Sequence, residues 1–223
     1  FLEKMVENKW LGDKTGQGFY KLVKGNGTKE ILTLNLETME YAPKQKAKFA
    51  TIESAKQVDD LAQRLKVLYN GKDKAGEFYR MFHHLLFAYV SHRIPGITDE
   101  LYKIDDALKA GFGWEIGAFE SWDALGVKAT LEQMQAGGYQ PAPWVAEMLA
   151  QGITTFYKTE QGTRKYYDIP TKSYKAVPGS GSFILLEHLD EQLVWKNSAC
   201  KLLDIGDGVL ALRCNTKMNS IGG

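Results

Sequence analysis

Apolar positions along the 223 residues change their period several times, and each change marks an element. Leu2, Met5, Val6 and Trp10 fall on one helical stripe with Gly12 at the C-cap position, so the chain is expected to open on the end of a helix. The glycines of Asp13-Lys-Thr-Gly-Gln-Gly18 then supply a tight loop. Two strand-like runs follow, Phe19-Tyr-Lys-Leu-Val23 and Lys29-Glu-Ile-Leu-Thr-Leu-Asn-Leu36, joined at Gly25-Asn26-Gly27, which predicts a β-hairpin. Beyond Pro43 and a lysine-rich connection, Ile52, Ala55, Val58, Ala62, Leu65 and Leu68 or Tyr69 recur at helical spacing and predict one helix over about 51–69.

Gly71 ends that helix, and a longer one is expected from about 74 to 94, stopped by Pro95-Gly96. Its apolar residues Phe78, Met81, Phe82, Leu85, Leu86, Phe87, Ala88, Tyr89 and Val90 begin as a stripe and become nearly continuous. Leaving several such side chains in water costs about 1.5–3 kcal/mol each. The helix therefore belongs at the centre of a bundle or against another domain or subunit. Thr98 is the N-cap candidate for a third helix through Leu101, Ile104, Ala107 and Leu108, closed by Gly111. Shorter helices punctuated by glycine are expected near 118–125, 128–135 and 142–150.

From Thr154 the pattern returns to β, with Thr154-Thr-Phe-Tyr-Lys158, a turn at Gln161-Gly162 and Lys165-Tyr-Tyr-Asp-Ile169. This second hairpin repeats the first. Phe156-Tyr157-Lys158 echoes Phe19-Tyr20-Lys21, Gly162-Thr163 echoes Gly27-Thr28, Pro178 echoes Pro43, and Glu147 to Gly152 mirrors Glu7 to Gly12. The shift from Phe19 to Phe156 is 137 and from Gly12 to Gly152 is 140, which makes the glycine loop of the second copy three residues shorter. A helix-then-hairpin unit of about 140 residues thus occurs twice, the first time only as its tail. Past Gly179-Ser-Gly-Ser182, read as a linker, four short strands are expected at 183–186, 192–195, 199–205 and 209–214. Asp207-Gly208 between the last two is a type I′ hairpin signal.

Composition narrows the function classes. With 28 Lys+Arg against 27 Asp+Glu and a net charge of +1, no basic face exists for nucleic acid. Lys44, Lys46 and Lys48 form the densest basic group and read as a solvated linker. No stretch reaches the roughly 20 apolar residues of a membrane span, and the N-terminus has no signal-peptide pattern, so the chain is expected to be cytoplasmic. Cys200 and Cys214 are too few for a disulfide framework and read as buried free thiols; four histidines show no metal-ligand spacing. His83, His84 and His92 read as satisfied core or interface residues. Gly111-Phe-Gly113 with Gly117 lacks the preceding strand of a dinucleotide turn, and Gly12-Asp-Lys-Thr-Gly16 lacks the spacing of a phosphate loop. Asp105, Asp106, Glu115 and Glu120 cap or solvate helix ends in this reading, and with Asp123 they have no accompanying nucleophile or metal ligand. No catalytic, cofactor-binding or metal-binding residue is therefore assigned within the chain.

Two segments nevertheless resemble a known family. The run Ile104-Asp-Asp-Ala-Leu-Lys-Ala-Gly-Phe-Gly-Trp-Glu-Ile-Gly-Ala-Phe-Glu-Ser-Trp-Asp-Ala-Leu-Gly126 is similar to the C-terminal helical domain of L-3-hydroxyacyl-CoA dehydrogenases, with Asp105, Ala107, Gly111, Gly117, Phe119, Glu120, Asp123 and Gly126 matching its pattern. Lys9-Trp-Leu-Gly-Asp-Lys-Thr-Gly-Gln-Gly-Phe-Tyr-Lys21 resembles the close of the same domain, which some multifunctional β-oxidation proteins carry twice in tandem. A shorter likeness, Ala199 to Asn219 around Asp207-Gly208-Val209, is to the opening strands of an enoyl-CoA hydratase (crotonase-type) domain.

The resemblance implies a mainly α fold, multi-helical, with a short β-hairpin after each helical unit. It implies four parts: 1–43, the tail of a first helical copy with its hairpin; 44–70, a linker and connecting helix; 71–178, a second copy; and 179–223, a linker and the first hydratase-like strands. Phe1 and Gly223 are then expected to be cuts in a longer protein. That parent would be an NAD-dependent 3-hydroxyacyl-CoA dehydrogenase of fatty-acid β-oxidation, fused to a hydratase. It would act on acyl-CoA and form a homodimer or pseudo-dimer through the helical domain. The family's polar residue near the start of the long helix, usually Asn, falls near Arg80, and Glu115 and Ala118 replace two usual prolines. The chain alone is expected to be inactive, as a packing module.

Overall fold

The computed structural model describes residues 1–25, 28–160, 162–180, 184–186 and 189–216. The Asn26-Gly27 and Gln161 turn positions, 181–183 of the expected linker and strand, and Asn219 lie outside the described residues. Two compact units are present, Phe1–Lys48 and Phe49–Gly223.

In the first unit, α1 (Leu2–Glu7) leads through a 3-10 turn (Asp13–Thr15) to a three-stranded antiparallel sheet of β1 (Tyr20–Gly25), β2 (Thr28–Leu34) and β3 (Tyr41–Pro43). The helix stops earlier than its apolar stripe suggests, because Lys9, not Gly12, takes the left-handed position (φ 58°). The Lys9 amide bonds the Val6 carbonyl and the Trp10 amide bonds that of Met5, closing a Schellman motif.

The second unit begins with α2 (Ala50–Ala55) and α3 (Leu61–Asn70), where one helix was expected. Asp60 breaks it: its backbone is extended and its carboxylate accepts the Gln63 amide at 2.7 Å, an N-cap that starts a new helix. Then come α4 (Lys74–Ser91), α5 (Leu101–Phe112), α6 (Ala118–Leu125), α7 (Val127–Ala136) and α8 (Pro143–Ala150). Thr98 does not cap α5; its hydroxyl accepts the amide of Glu100, which takes the N-cap position itself. At the other end Gly113, left-handed at φ 67°, replaces Gly111 as the stop. The core gathers on α6. Trp122 stacks on Phe87 of α4 at 4.6 Å between ring centroids, and Phe156 inserts against Phe119 (5.0 Å) and Trp122 (5.2 Å).

Phe156 comes from the loop before a second three-stranded sheet, β4 (Tyr157–Glu160), β5 (Thr163–Asp168) and β6 (Ser173–Ala176). A third, β7 (Leu193–Lys196), β8 (Cys200–Asp204) and β9 (Leu210–Cys214), follows a short 3-10 turn. Asp207 (φ 53°) and Gly208 (φ 75°) close β8 to β9 as the type I′ signal requires, whereas Ile184–Leu186 form no strand. With eight helices and three small antiparallel sheets among the described residues, the content is mixed rather than mainly α. The difference arises because each expected hairpin gains a third strand. Asn35 accepts the Glu37 and Thr38 amides and Asp168 accepts the Thr171 amide, and these Asx turns send the chain back along β2 and β5.

The two sheets share a set of bonds position for position. The Tyr41 hydroxyl donates to the Gly18 carbonyl (2.6 Å) and that of Tyr174 to the Thr155 carbonyl (2.7 Å). Lys21 lies over the Tyr41 ring as Lys158 lies over that of Tyr174. Left-handed Met39 and Lys172 occupy the same turn position, and Leu34 bonds the Phe19 carbonyl as Tyr167 bonds that of Phe156. Upstream, α8 ends in the same Schellman pair of bonds, with Gly152 where the first copy has Lys9. The equivalence is therefore Lys9 with Gly152 and Pro43 with Ala176, not Gly12 with Gly152 and Pro43 with Pro178. The second copy's loop is shorter by six residues rather than three, lacking the turn that Thr15 organises by accepting the Leu11 amide and donating toward the Gly12 and Gln17 carbonyls.

Candidate functional site

The carboxylates singled out in the sequence converge at the start of α6. Its N-cap is Gly117, which has no side chain to satisfy the first amides of the helix. Asp105, from α5, does so instead, accepting from Phe119 N (2.9 Å) and Glu120 N (3.0 Å) and from the Tyr157 hydroxyl (2.9 Å). A glycine is required there because a Cβ at position 117 would lie 2.3 Å from the Asp105 Cβ. Glu120 bends back onto Gly117 N (2.6 Å) and pairs with Lys109 (3.0 Å) and Arg164, whose guanidinium lies over the Tyr157 ring. Asp123, one turn on, accepts from Phe156 N (2.7 Å) and Tyr157 N (2.8 Å) and so fixes the β4 entry to α6. Asp106 pairs on the surface with Lys109, and the exposed Glu115 lies 4.0 Å from Arg64.

Burial pushes the Asp105 carboxyl up to about 6 against the pull of its two amides, and pushes Asp123 up to about 7 against those of Phe156 and Tyr157. Burial acts on Glu120 too, but the Gly117 amide and Arg164 outweigh it and hold that group below the ordinary carboxylate value. Both aspartates thus bind a proton more tightly folded than unfolded, where the value is 3.8. Their contribution to stability is full below about pH 4 and is lost as pH rises through 6 to 7. His83 and His84, which burial holds below the ordinary imidazole value, act in the opposite sense in an overlapping window. A difference measurement removes them. The Tm of the wild type relative to that of Asp123→Asn, which mimics the neutral acid, is expected to fall as pH is raised from about 5 to 8; a relative Tm that rises instead overturns the assignment.

The remaining candidates are occupied in structural bonds. Arg80, at the position where the family's Asn is expected, donates to the carbonyls of Tyr69 and Gly71 and so closes the C-terminus of α3. His83 Nδ1 lies 2.6 Å from the Tyr79 carbonyl, His84 Nε2 2.7 Å from the Tyr69 hydroxyl, and His92 Nε2 3.0 Å from the Gln140 carbonyl. Cys200 and Cys214 are half-buried rather than buried, because β8 and β9 present them on an open sheet. Among the described residues no group of His, Cys, Asp or Glu is arranged for a metal, and no helix is long and apolar enough to cross a membrane. The Gly111–Gly117 segment does not fit a dinucleotide. It leaves a helix rather than a strand, and the amides at the start of α6 that would bind a pyrophosphate are already held by Asp105 and Glu120.

What stays open is apolar. A groove of about 500 Å³ runs between α4 and α5, walled by Leu86, Val90, Ile104, Ala107 and Leu108, with Tyr89, Arg93, Thr98 and Lys103 as its polar lining. Lys103 is paired with Glu100 at 2.8 Å and Arg93 lies over the Tyr89 ring. The groove contains no carboxylate or imidazole, and its mostly apolar walls suit an apolar group. Alongside it Phe78, Met81, Phe82, Leu85 and Tyr89 form an exposed stripe on α4, extended by Trp114 and Phe112. The sequence made α4 covered on more than one side; among the described residues the face that carries His83, Phe87 and Val90 is buried, whereas the Phe78–Leu85 stripe is exposed.

Over 224 aligned residues, all of this chain, it is 38% identical to a Bacillus subtilis (strain 168) protein named as a 3-hydroxyacyl-CoA dehydrogenase, covering 28% of that protein. It is 26% identical over 99% of its length to a fatty acid oxidation complex trifunctional enzyme of Rickettsia felis, covering 26% of it, and 30% identical over 53% of its length to the like-named protein of Rickettsia prowazekii, covering 15%. No family model matches the chain, and no solved structure does. By these matches the chain is related to proteins named for 3-hydroxyacyl-CoA dehydrogenation and fatty-acid oxidation, and it spans little more than a quarter of the length of the first two.

Proposed function

We propose that this chain is part of an NAD-dependent 3-hydroxyacyl-CoA dehydrogenase of fatty-acid β-oxidation, a cytoplasmic enzyme acting on acyl-CoA, and that it supplies packing rather than chemistry. The 38% identity to the Bacillus subtilis protein over the whole of this chain carries the reading. The parent reaction moves a hydride from the 3-hydroxyl carbon of an acyl-CoA to NAD while a base takes the hydroxyl proton. Packing is favoured by the described residues of the second unit, whose buried acids hold backbone amides and whose Arg80 stands where the polar residue of the helical domain is expected.

The first unit fits the tail of an earlier helical copy. Phe19, equivalent to the fully buried Phe156, is 45% exposed, like a plug without its socket. In the same reading β7–β9 are the opening strands of a hydratase domain. The expected result is that the full-length parent reduces acetoacetyl-CoA with NADH and the 223-residue chain does not. Turnover by the chain at enzyme-like rates overturns the packing role.

The exposed stripe on α4 favours a second reading, in which the helical unit is an assembly surface that pairs with a second copy or with the earlier copy in the same chain. The isolated chain is then expected to sediment as a dimer at roughly tens of micromolar, and Leu85→Glu to return it to a monomer. A monomeric wild type at that concentration counts against it.

A further inference from the structure

The only two cysteines of the chain face each other across β8 and β9. Cys200 is in register with Cys214, and their Sγ atoms are 3.8 Å apart. The hydrogen-bonded rungs of this ladder fall elsewhere: Asn215 N donates to the Ala199 carbonyl and Ile205 N to that of Val209, and odd-numbered positions of β8 alternate with even ones between those two rungs. Cys200–Cys214 is therefore a non-hydrogen-bonded pair, the closer of the two kinds, with a typical Cα separation of about 4.5 Å, inside the range a disulfide spans. The backbone around Cys200 is fixed as well. Asn197 Oδ1 accepts the amides of Ala199 and Cys200 at 2.8 and 2.6 Å, and Asn197 N donates to the Cys200 carbonyl. Both side chains are half-buried, open to a small oxidant.

We propose that Cys200 and Cys214 are a redox site, converted to an intrachain disulfide by a peroxide. One thiolate attacks the peroxide, the O–O bond breaks, and the sulfur becomes a sulfenic acid as hydroxide or alkoxide leaves and takes a proton. The second sulfur then displaces the sulfenic oxygen, which departs as water. Two thiols and one peroxide give one disulfide, one water and one water or alcohol; the sulfurs lose two electrons and the O–O bond gains them. The bond closes a covalent ring around the β8–β9 hairpin at the end opposite the Asp207-Gly208 turn. Burial and the facing sulfur push the Cys200 thiol up, so the neutral thiol is its resting protonation state and the attacking thiolate is the minor form.

The test is to oxidise the reduced full chain with hydrogen peroxide, folded and in denaturant, then count thiols and measure mass under non-reducing conditions. Two thiols per chain are expected to fall to none in the folded protein, with loss of two hydrogens, no covalent dimer, and full recovery with a dithiol reductant. In Cys200→Ser the remaining thiol is expected to gain oxygen instead. Persistence of both thiols in the folded chain under conditions that consume them in the unfolded one overturns the proposal, as does their loss only through oxygen addition or interchain crosslinks.

Discussion

Asp105→Ala is expected to lower the unfolding free energy of the helical unit by about 3–5 kcal/mol, read from chemical denaturation. The carboxylate holds two α6 amides and the Tyr157 hydroxyl in a site only 1% exposed. Each buried polar group left without a partner costs about 1–3 kcal/mol. The loss is not purely local, since α6 carries Trp122 and Phe119 into the core and Tyr157 begins β4. Asp105→Asn keeps the shape and one acceptor oxygen and is expected to fall between the two. A loss under about 1 kcal/mol for the alanine variant would mean that water replaces the carboxylate and that α6 needs no cap from α5.

The second large effect has a sign that helix propensity gets wrong. Gly76 lies in the first turn of α4, where alanine normally improves a helix by about 1 kcal/mol. Yet a Cβ there would stand 2.1 Å from the Gly71 carbonyl oxygen and 2.6 Å from the Gly71 Cα, both backbone atoms that cannot rotate away. Gly71 is itself hemmed by Thr51, whose amide is held by Asp73, the residue that caps α4. Gly76→Ala is therefore expected to destabilise by about 2–3 kcal/mol, the usual range for overpacking. A thermal melt showing the variant equal to or above the wild type would show that the α3–α4 joint yields.

What the sequence disclosed is what short-range chemistry determines. The hairpin runs, the Asp207-Gly208 turn and most helix ends follow from period and from residues that cap or turn within four positions. The third strands β3 and β6 escaped because their pairing is made across a turn by Asn35 and Asp168, residues that look like ordinary loop polars until the amides they catch are seen. One helix became two because Val58 and Ala62 keep the apolar spacing intact through a break that only Asp60 signals. Asp105 was legible as a cap, but its target lies 14 residues away, and the amides Asp123 holds lie 33 and 34 away. No local pattern encodes such distances. Arg80 showed the opposite: counting along the chain found the position, and only its bonds to Tyr69 and Gly71 gave it a task.

The tyrosine peg that both sheets share has a consequence for how the two copies drifted apart. A hydroxyl that grips a carbonyl reads backbone, so Gly18 serves Tyr41 as Thr155 serves Tyr174, and the Thr155 hydroxyl adds a 2.9 Å bond to Tyr174 that a glycine lacks. Each peg, with the Schellman turn ahead of it, clamps both ends of the loop between them. Chain added inside the clamp is then penalised only by closure entropy, about 0.6 kcal/mol for each doubling of length. The two loops differ there by six residues, and each sheet keeps its tyrosine bond. The same joint in the second copy, Ile153–Thr155, is expected to accept an inserted segment at that modest entropic cost.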